Sequence, residues 1–66
     1  MAISWMYYSQ SRWHSFDPYA QAQLETLWYS NSEGWLQSCI GQIYYKSTSN
    51  SLYCSGYYYD IRRCTR

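Results

Sequence analysis

His14, Cys39, Cys54 and Cys64 are the side chains of this sequence best equipped to hold a metal or to attack a substrate, and their spacing argues against both. A Cys3His zinc site draws its ligands from close pairs such as CxxC, which set two corners of the tetrahedron on one turn; no two of these four are close in the chain. Three cysteines also leave one over from any pairing, so the expectation is reduced thiols used as small packed residues. His14 stands among Ser9, Ser11 and Ser15, but there is no GxSxG elbow, and the carboxylates Asp17, Glu25, Glu33 and Asp60 are scattered. No enzyme, no metal and no cofactor are expected.

What the composition does supply is stacking and hydrogen bonding by aromatic rings. Ten Tyr, four Trp and one Phe stand in a chain of 66 residues that contains no Val, so rings do the work of branched aliphatics. Tyr and Trp bury large areas yet keep a polar tip, which suits half-buried sheets and ligand grooves better than a closed core. The net charge of +1 is too weak for a general polyanion binder, and nucleic acid is not an expected partner. The five cations are Arg12, Lys46, Arg62, Arg63 and Arg66, three of them in the last five positions. No apolar run approaches the ~18 residues of a membrane span, and the first residues lack the layout of a signal peptide. A soluble intracellular setting, cytoplasmic or nuclear, and no membrane are the expectation.

The elements that must position these rings follow from periodicity. Residues 3–8 alternate, with Ile3, Trp5 and Tyr7 on one side, and after the turn "SQS" residues 12–16 alternate again, with Trp13 opposite His14 and Phe16. At "FDPYAQAQLETLWYSNSEG" the period moves towards 3.6: Asp17 can cap a helix and Pro18 suits its first position. Ala20, Leu24, Leu27 and Trp28 form its apolar stripe, Gln21, Gln23 and Glu25 point outward, and "SNSEG" ends it. Strands are then expected over 35–40, 43–46, 52–54 and 57–63, with "GQ" as one turn and Ser55-Gly56 as another. Arg62 and Arg63 must face opposite ways, so only one of them is expected to reach a pocket inside the sheet. A chain this short buries only about 60% of its unfolded surface and holds one core. The whole is an α+β unit, a curved sheet closed on one side by the helix.

Trp5, Trp13 eight residues later, Leu24-Glu25 in the helix, Tyr44 on a following strand and Ile61-Arg62-Arg63 near the end resemble the WWE domain family. That family is named for two Trp and one Glu, here Trp5, Trp13 and Glu25, and the resemblance runs from Trp5 to Arg63. It implies a single domain over residues 1–66, a half-barrel of about six antiparallel strands packed on one α-helix. It also implies a non-catalytic recognition domain for ADP-ribose, or for the iso-ADP-ribose unit of poly-ADP-ribose, in ubiquitination or ADP-ribosylation pathways. Carried over position by position, Tyr7 and Tyr44 contact adenine and ribose, Tyr53 stands where binders use a Gln against adenine, Tyr59 stands in a place usual for a cation, and Arg62 can reach a phosphate. Trp5, Trp13 and Glu25 are structural in this scheme, the indoles in the core and Glu25 on an indole N–H or the backbone. Gln10, His14, Tyr53 and Tyr59 depart from the binders and favour an alternative, a protein-interaction module that keeps the fold without the nucleotide.

Overall fold

A computed structural model describes residues 3–65. The order is β1 (Ile3–Ser9), β2 (Arg12–Ser15), α1 (Pro18–Tyr29), β3 (Gly34–Ser38), β4 (Gly41–Lys46), β5 (Ser51–Cys54) and β6 (Tyr57–Thr65). The strands form one antiparallel sheet in the order β2-β1-β6-β5-β4-β3, packed on the helix and not closed into a full barrel. The six strands and single helix read from the sequence are therefore present. Arg66, one of the basic residues read above, lies outside the described residues.

β6 holds the sheet together. Tyr57 to Asp60 pair with β5, whereas Ile61 to Thr65 pair with β1, so each half of the strand serves a different neighbour. The sheet curves strongly: β1 and β4 are three strand spacings apart, about 14 Å in a flat sheet. Yet the Trp5 and Tyr45 rings meet edge to face with centroids 6.0 Å apart. Around them pack Phe16, Ala20, Leu24, Leu36, Ile43, Leu52, Cys54 and Ile61.

Asp17 fixes where the helix sits. One carboxylate oxygen accepts from the Ala20 amide at 3.2 Å as the N-cap, and the other accepts from the Cys39 amide at 2.8 Å. A single side chain thus ties the helix start to the β3–β4 turn. Partial burial pushes its carboxyl up, but the amide hydrogen bonds outweigh this and hold it below the usual carboxylate range. At the other end Asn31 takes φ +55 and the Ser32 amide donates to the Leu27 carbonyl at 2.9 Å, which stops the helix.

Three readings are corrected. The turn between β3 and β4 is Cys39-Ile40, two residues before "GQ", because Ser38 Oγ donates to the Gly41 carbonyl at 2.8 Å and accepts from the Ile40 amide at 3.3 Å. Gly41 then opens β4 at φ +113, a backbone that favours glycine. Gln21 does not point outward. Its amide accepts from the Trp5 N–H at 3.3 Å and donates to the Phe16 carbonyl at 2.6 Å, continuing the β1–β2 ladder beyond the end of β2. Trp13 is not in the core, since it pairs with Tyr8 on the face of the sheet away from the helix.

Tyr45 is fully buried, and its hydroxyl is the one buried side-chain polar atom among the described residues without a hydrogen-bond partner. Burial raises its phenol pKa, and a buried hydroxyl without a partner is a net cost. Tyr45→Phe should therefore raise stability by about 1 kcal/mol, seen as a higher urea midpoint at unchanged m-value.

Candidate functional site

The five residues expected to contact a ligand do not converge. Ile43 and Tyr45 face the helix, so alternation turns Tyr44 to the opposite face; the pairings Tyr44 with Tyr53 and Tyr53 with Tyr58 keep Tyr53 there too. Tyr7 and Tyr59 stay on the inner face, edge to face at 6.2 Å. Arg62 pairs with Met6 and faces outward. The structure thus presents three separate surfaces.

The first is a cluster of rings on the inner face, continuous with the core. Tyr7 stacks on His14 at 5.2 Å and 22°, leans on Phe16 at 4.7 Å, and is only 9% exposed. Burial is the main cause that raises the Tyr7 phenol pKa, with smaller contributions from the Cys39 thiol and the Tyr59 hydroxyl. His14 is held by the Ser9 carbonyl, 3.1 Å from its Nε2. These rings pack mainly against one another.

The second is a cleft at the free edge of β6. Beyond Asp60 this strand has left β5, and the β4–β5 turn bends back so that Asn50 Nδ2 donates to the Ile61 carbonyl at 3.4 Å. The resulting opening of about 610 Å³ is bordered by Trp13, Trp28, Asn50, Arg62 and Arg63. Both guanidinium groups lie on indoles, Arg62 4.5 Å from the Trp13 ring centre and Arg63 3.9 Å from that of Trp28. Arg63 belongs to the inner face and Arg62 to the outer, as their alternation requires. Both border the cleft because no strand flanks β6 there and the opening lies at the edge of the sheet, whereas only Arg63 is on the inner face.

Behind this cleft Glu25 accepts from Trp5 Nε1 at 2.9 Å through Oε1, from Arg63 Nε at 2.9 Å through the same oxygen, and from Arg63 Nη2 at 2.8 Å through Oε2. The forked bond from Arg63 leads the causes that hold the Glu25 carboxyl below its usual range, against burial, with Trp5 adding to the effect. Trp5 is fully buried, and Glu25, expected to point outward, is turned onto its indole N–H and the Arg63 guanidinium. The fork occupies two of five guanidinium N–H donors of Arg63 and leaves three for a ligand.

The third surface is a row across four strands on the outer face: Trp35, Tyr44, Tyr53 and Tyr58 are direct neighbours in register. Trp35 is 57% and Tyr58 67% exposed. The Tyr44 hydroxyl donates to Glu33 Oε2 at 2.9 Å, and this bond is the main cause that raises its pKa. Lys46 Nζ lies 6.0 Å from the Tyr58 ring centre.

Sequence reasoning missed Trp28 and Asn50 in the cleft and Trp35 in the row. Counting outward from the turns would have found Trp35, since a loop at Cys39-Ile40 sets it opposite Tyr44. Among the described residues no group of three or more His, Cys, Asp or Glu side chains could hold a metal ion, and no helix is long and apolar enough to cross a membrane. No family model, no curated protein and no solved structure matches this chain.

Proposed function

We propose that this is a WWE-type, non-catalytic recognition domain, and that the ligand is an ADP-ribose unit seated in the cleft at the free edge of β6. The observation that carries this reading is the pair of guanidinium planes laid on indoles, Arg62 on Trp13 and Arg63 on Trp28, around one opening of about 610 Å³. Openings of about 300–1,000 Å³ suit ligands of this size. A diphosphate needs cations with unspent donors. Arg62 has no carboxylate partner among the described residues, and Arg63 is oriented by Glu25 while keeping N–H groups free. An adenine can stack on an indole or on a guanidinium plane, and the Asn50 side chain at the rim can contact its edge. Tyr7 and Tyr44, first expected on the base, have no part in this seat.

Titration with ADP-ribose, iso-ADP-ribose and ATP, followed by NMR at the indole N–H signals of Trp13 and Trp28, tests it. ADP-ribose or iso-ADP-ribose should shift both signals. Arg62→Ala should weaken binding about tenfold or more, the loss of one charge-assisted contact. Unshifted indole signals at about 5 mM of every nucleotide would exclude the seat.

A further inference from the structure

We infer that Ser47 is a phosphorylation site, and that a phosphoryl group on its hydroxyl is held by Arg62 and Arg63 and closes the cleft at the free edge of β6. The capture rests on the chain alone; the exclusion of a ligand diphosphate that follows from it rests on the nucleotide reading above.

Ser47 is the first residue of the turn that joins β4 to β5. Tyr45 faces the helix and Lys46 faces away from it, so alternation carries Ser47 back to the inner side, where Arg63 lies. The last residue of the turn draws it against β6, since Asn50 Nδ2 donates to the Ile61 carbonyl at 3.4 Å. Ser47 therefore borders the same opening as Ile61, Arg62 and Arg63. Thr48 and Ser49 form the exposed tip and are not on that border, and Ser49 is paired with Ser51 Oγ at 2.8 Å. Of the three hydroxyl side chains in the turn, Ser47 is thus the one at the cleft.

The charges around it favour a phosphate. The border of the cleft carries two guanidinium groups and, among the described residues, no carboxylate. Glu25 lies behind it with both oxygens taken by Arg63 and Trp5. Asp60 is on the outer face in one row with Ser51 and Lys46, where the Lys46 ammonium offsets it. A phosphoserine brings close to two negative charges and three strong acceptor oxygens at neutral pH. Arg63 keeps N–H donors outside its fork with Glu25, Arg62 has no carboxylate partner among the described residues, and both are already held flat on indoles. In the modification a serine kinase transfers the γ-phosphoryl group of ATP. The bond from Ser47 Oγ to phosphorus forms as the bond to the leaving ADP breaks, and the hydroxyl proton passes to the kinase's base. The turn is exposed at its tip and carries no charge of its own, so an enzyme can approach it from solvent. A tethered phosphate then acts at an effective concentration of about millimolar, which a free diphosphate must overcome.

A chain of 66 residues is within reach of chemical synthesis, so the whole domain can be made phosphorylated on Ser47 or, as the control, on Thr48 at the tip. In phosphorus NMR titrations the Thr48 form should lose its second phosphate proton at the ordinary value of about 6, and the Ser47 form at least about one unit lower. The indole N–H signals of Trp13 and Trp28 should move in the Ser47 form alone. Arg62→Ala should bring the Ser47 phosphate back towards the control. The inference is overturned if the two phosphates titrate alike, if Arg62→Ala leaves the Ser47 phosphate unmoved, or if the Ser47 form unfolds at lower urea than the Thr48 form. None of these readings needs a nucleotide. ADP-ribose should bind the Ser47 form at least about tenfold more weakly than the unmodified chain, and the Thr48 form as well as the unmodified chain. If the unmodified chain binds no nucleotide, the nucleotide reading fails and the capture stands; if the Ser47 form binds ADP-ribose as tightly as the unmodified chain, the closing of the cleft is overturned.

Discussion

Glu25→Ala should remove about 2–3 kcal/mol of stability, the largest loss expected from any single polar side chain of this domain. The change strips the Trp5 indole of its acceptor and leaves the half-buried Arg63 without its counter-ion. Domains carry roughly 0.05–0.15 kcal/mol per residue, so a chain of 66 residues has on the order of 3–10 kcal/mol in all. Much of the variant population would be unfolded at moderate urea. Glu25→Gln keeps an oxygen for Trp5 but loses the charge opposite Arg63, so its urea midpoint should fall between wild type and alanine. Trp5→Phe combined with Glu25→Ala should cost less than the sum of the two, because both remove the same bond.

Acid should act through the same group. Its carboxyl is held below the usual range in the folded state, so the folded protein binds fewer protons than the unfolded one as that range is entered. The contribution is complete above the unfolded glutamate pKa and is lost as pH falls through the lower folded value. Asp17 acts in the same direction, its carboxyl also being lowered. The stability–pH curve of Glu25→Gln should accordingly be flatter on the acid side, with a remaining slope from Asp17. An unchanged slope would mean that the Arg63 fork does not form in solution.

The hairpin joining β1 and β2 should be where the domain is most easily improved. Its loop is Gln10-Ser11, closed by the Ser9–Arg12 pair, and both loop residues have left-handed backbones, φ +54 and φ +66. Two positive φ values in a two-residue loop define the type I′ turn, which favours Asn-Gly. Other L-residues pay roughly 1–2 kcal/mol each for this backbone. Gln10→Asn with Ser11→Gly should raise stability by about 1–2 kcal/mol, after allowance for the extra freedom glycine gives the unfolded chain. For a domain of this size that is a Tm gain of about 4–8 °C per kcal/mol, readable by calorimetry. The β5–β6 hairpin already has glycine in its second place, Gly56 at φ +88.

How much of this was legible in the sequence depends on whether one strand or two were involved. Within a strand, alternation placed Trp5 with Tyr7 and opposed Trp13 to His14, and Asp17-Pro18 marked the start of the helix. Between strands, the shared face depends on turns. The β3–β4 turn is set by the hydroxyl of Ser38 and the carboxylate of Asp17, a residue distant in sequence, and periodicity cannot see such bonds. The face of Tyr44 was nevertheless available, because Ile43 beside it had to enter the core. Gln21 could not be read at all: a polar residue on a helix is ordinarily solvated, and only its place beside the end of β2 gives it a backbone to complete.

The pairing of β1 with β6 also decides how the domain would yield to force. Ile3 is bonded opposite Thr65, and the ladder runs from there to Tyr7 and Ile61, so a pull on the two ends meets it at its last rung. The rungs are loaded one after another, as in a zip, and not in parallel, as when strands are sheared along their length. Tension would therefore open this seam first, separating Trp5 from Arg63 within a few steps and drawing Arg63 away from Trp28 at the cleft. A domain built this way is a soft link in any longer chain that is stretched, and the cleft is the part of it that tension reaches earliest.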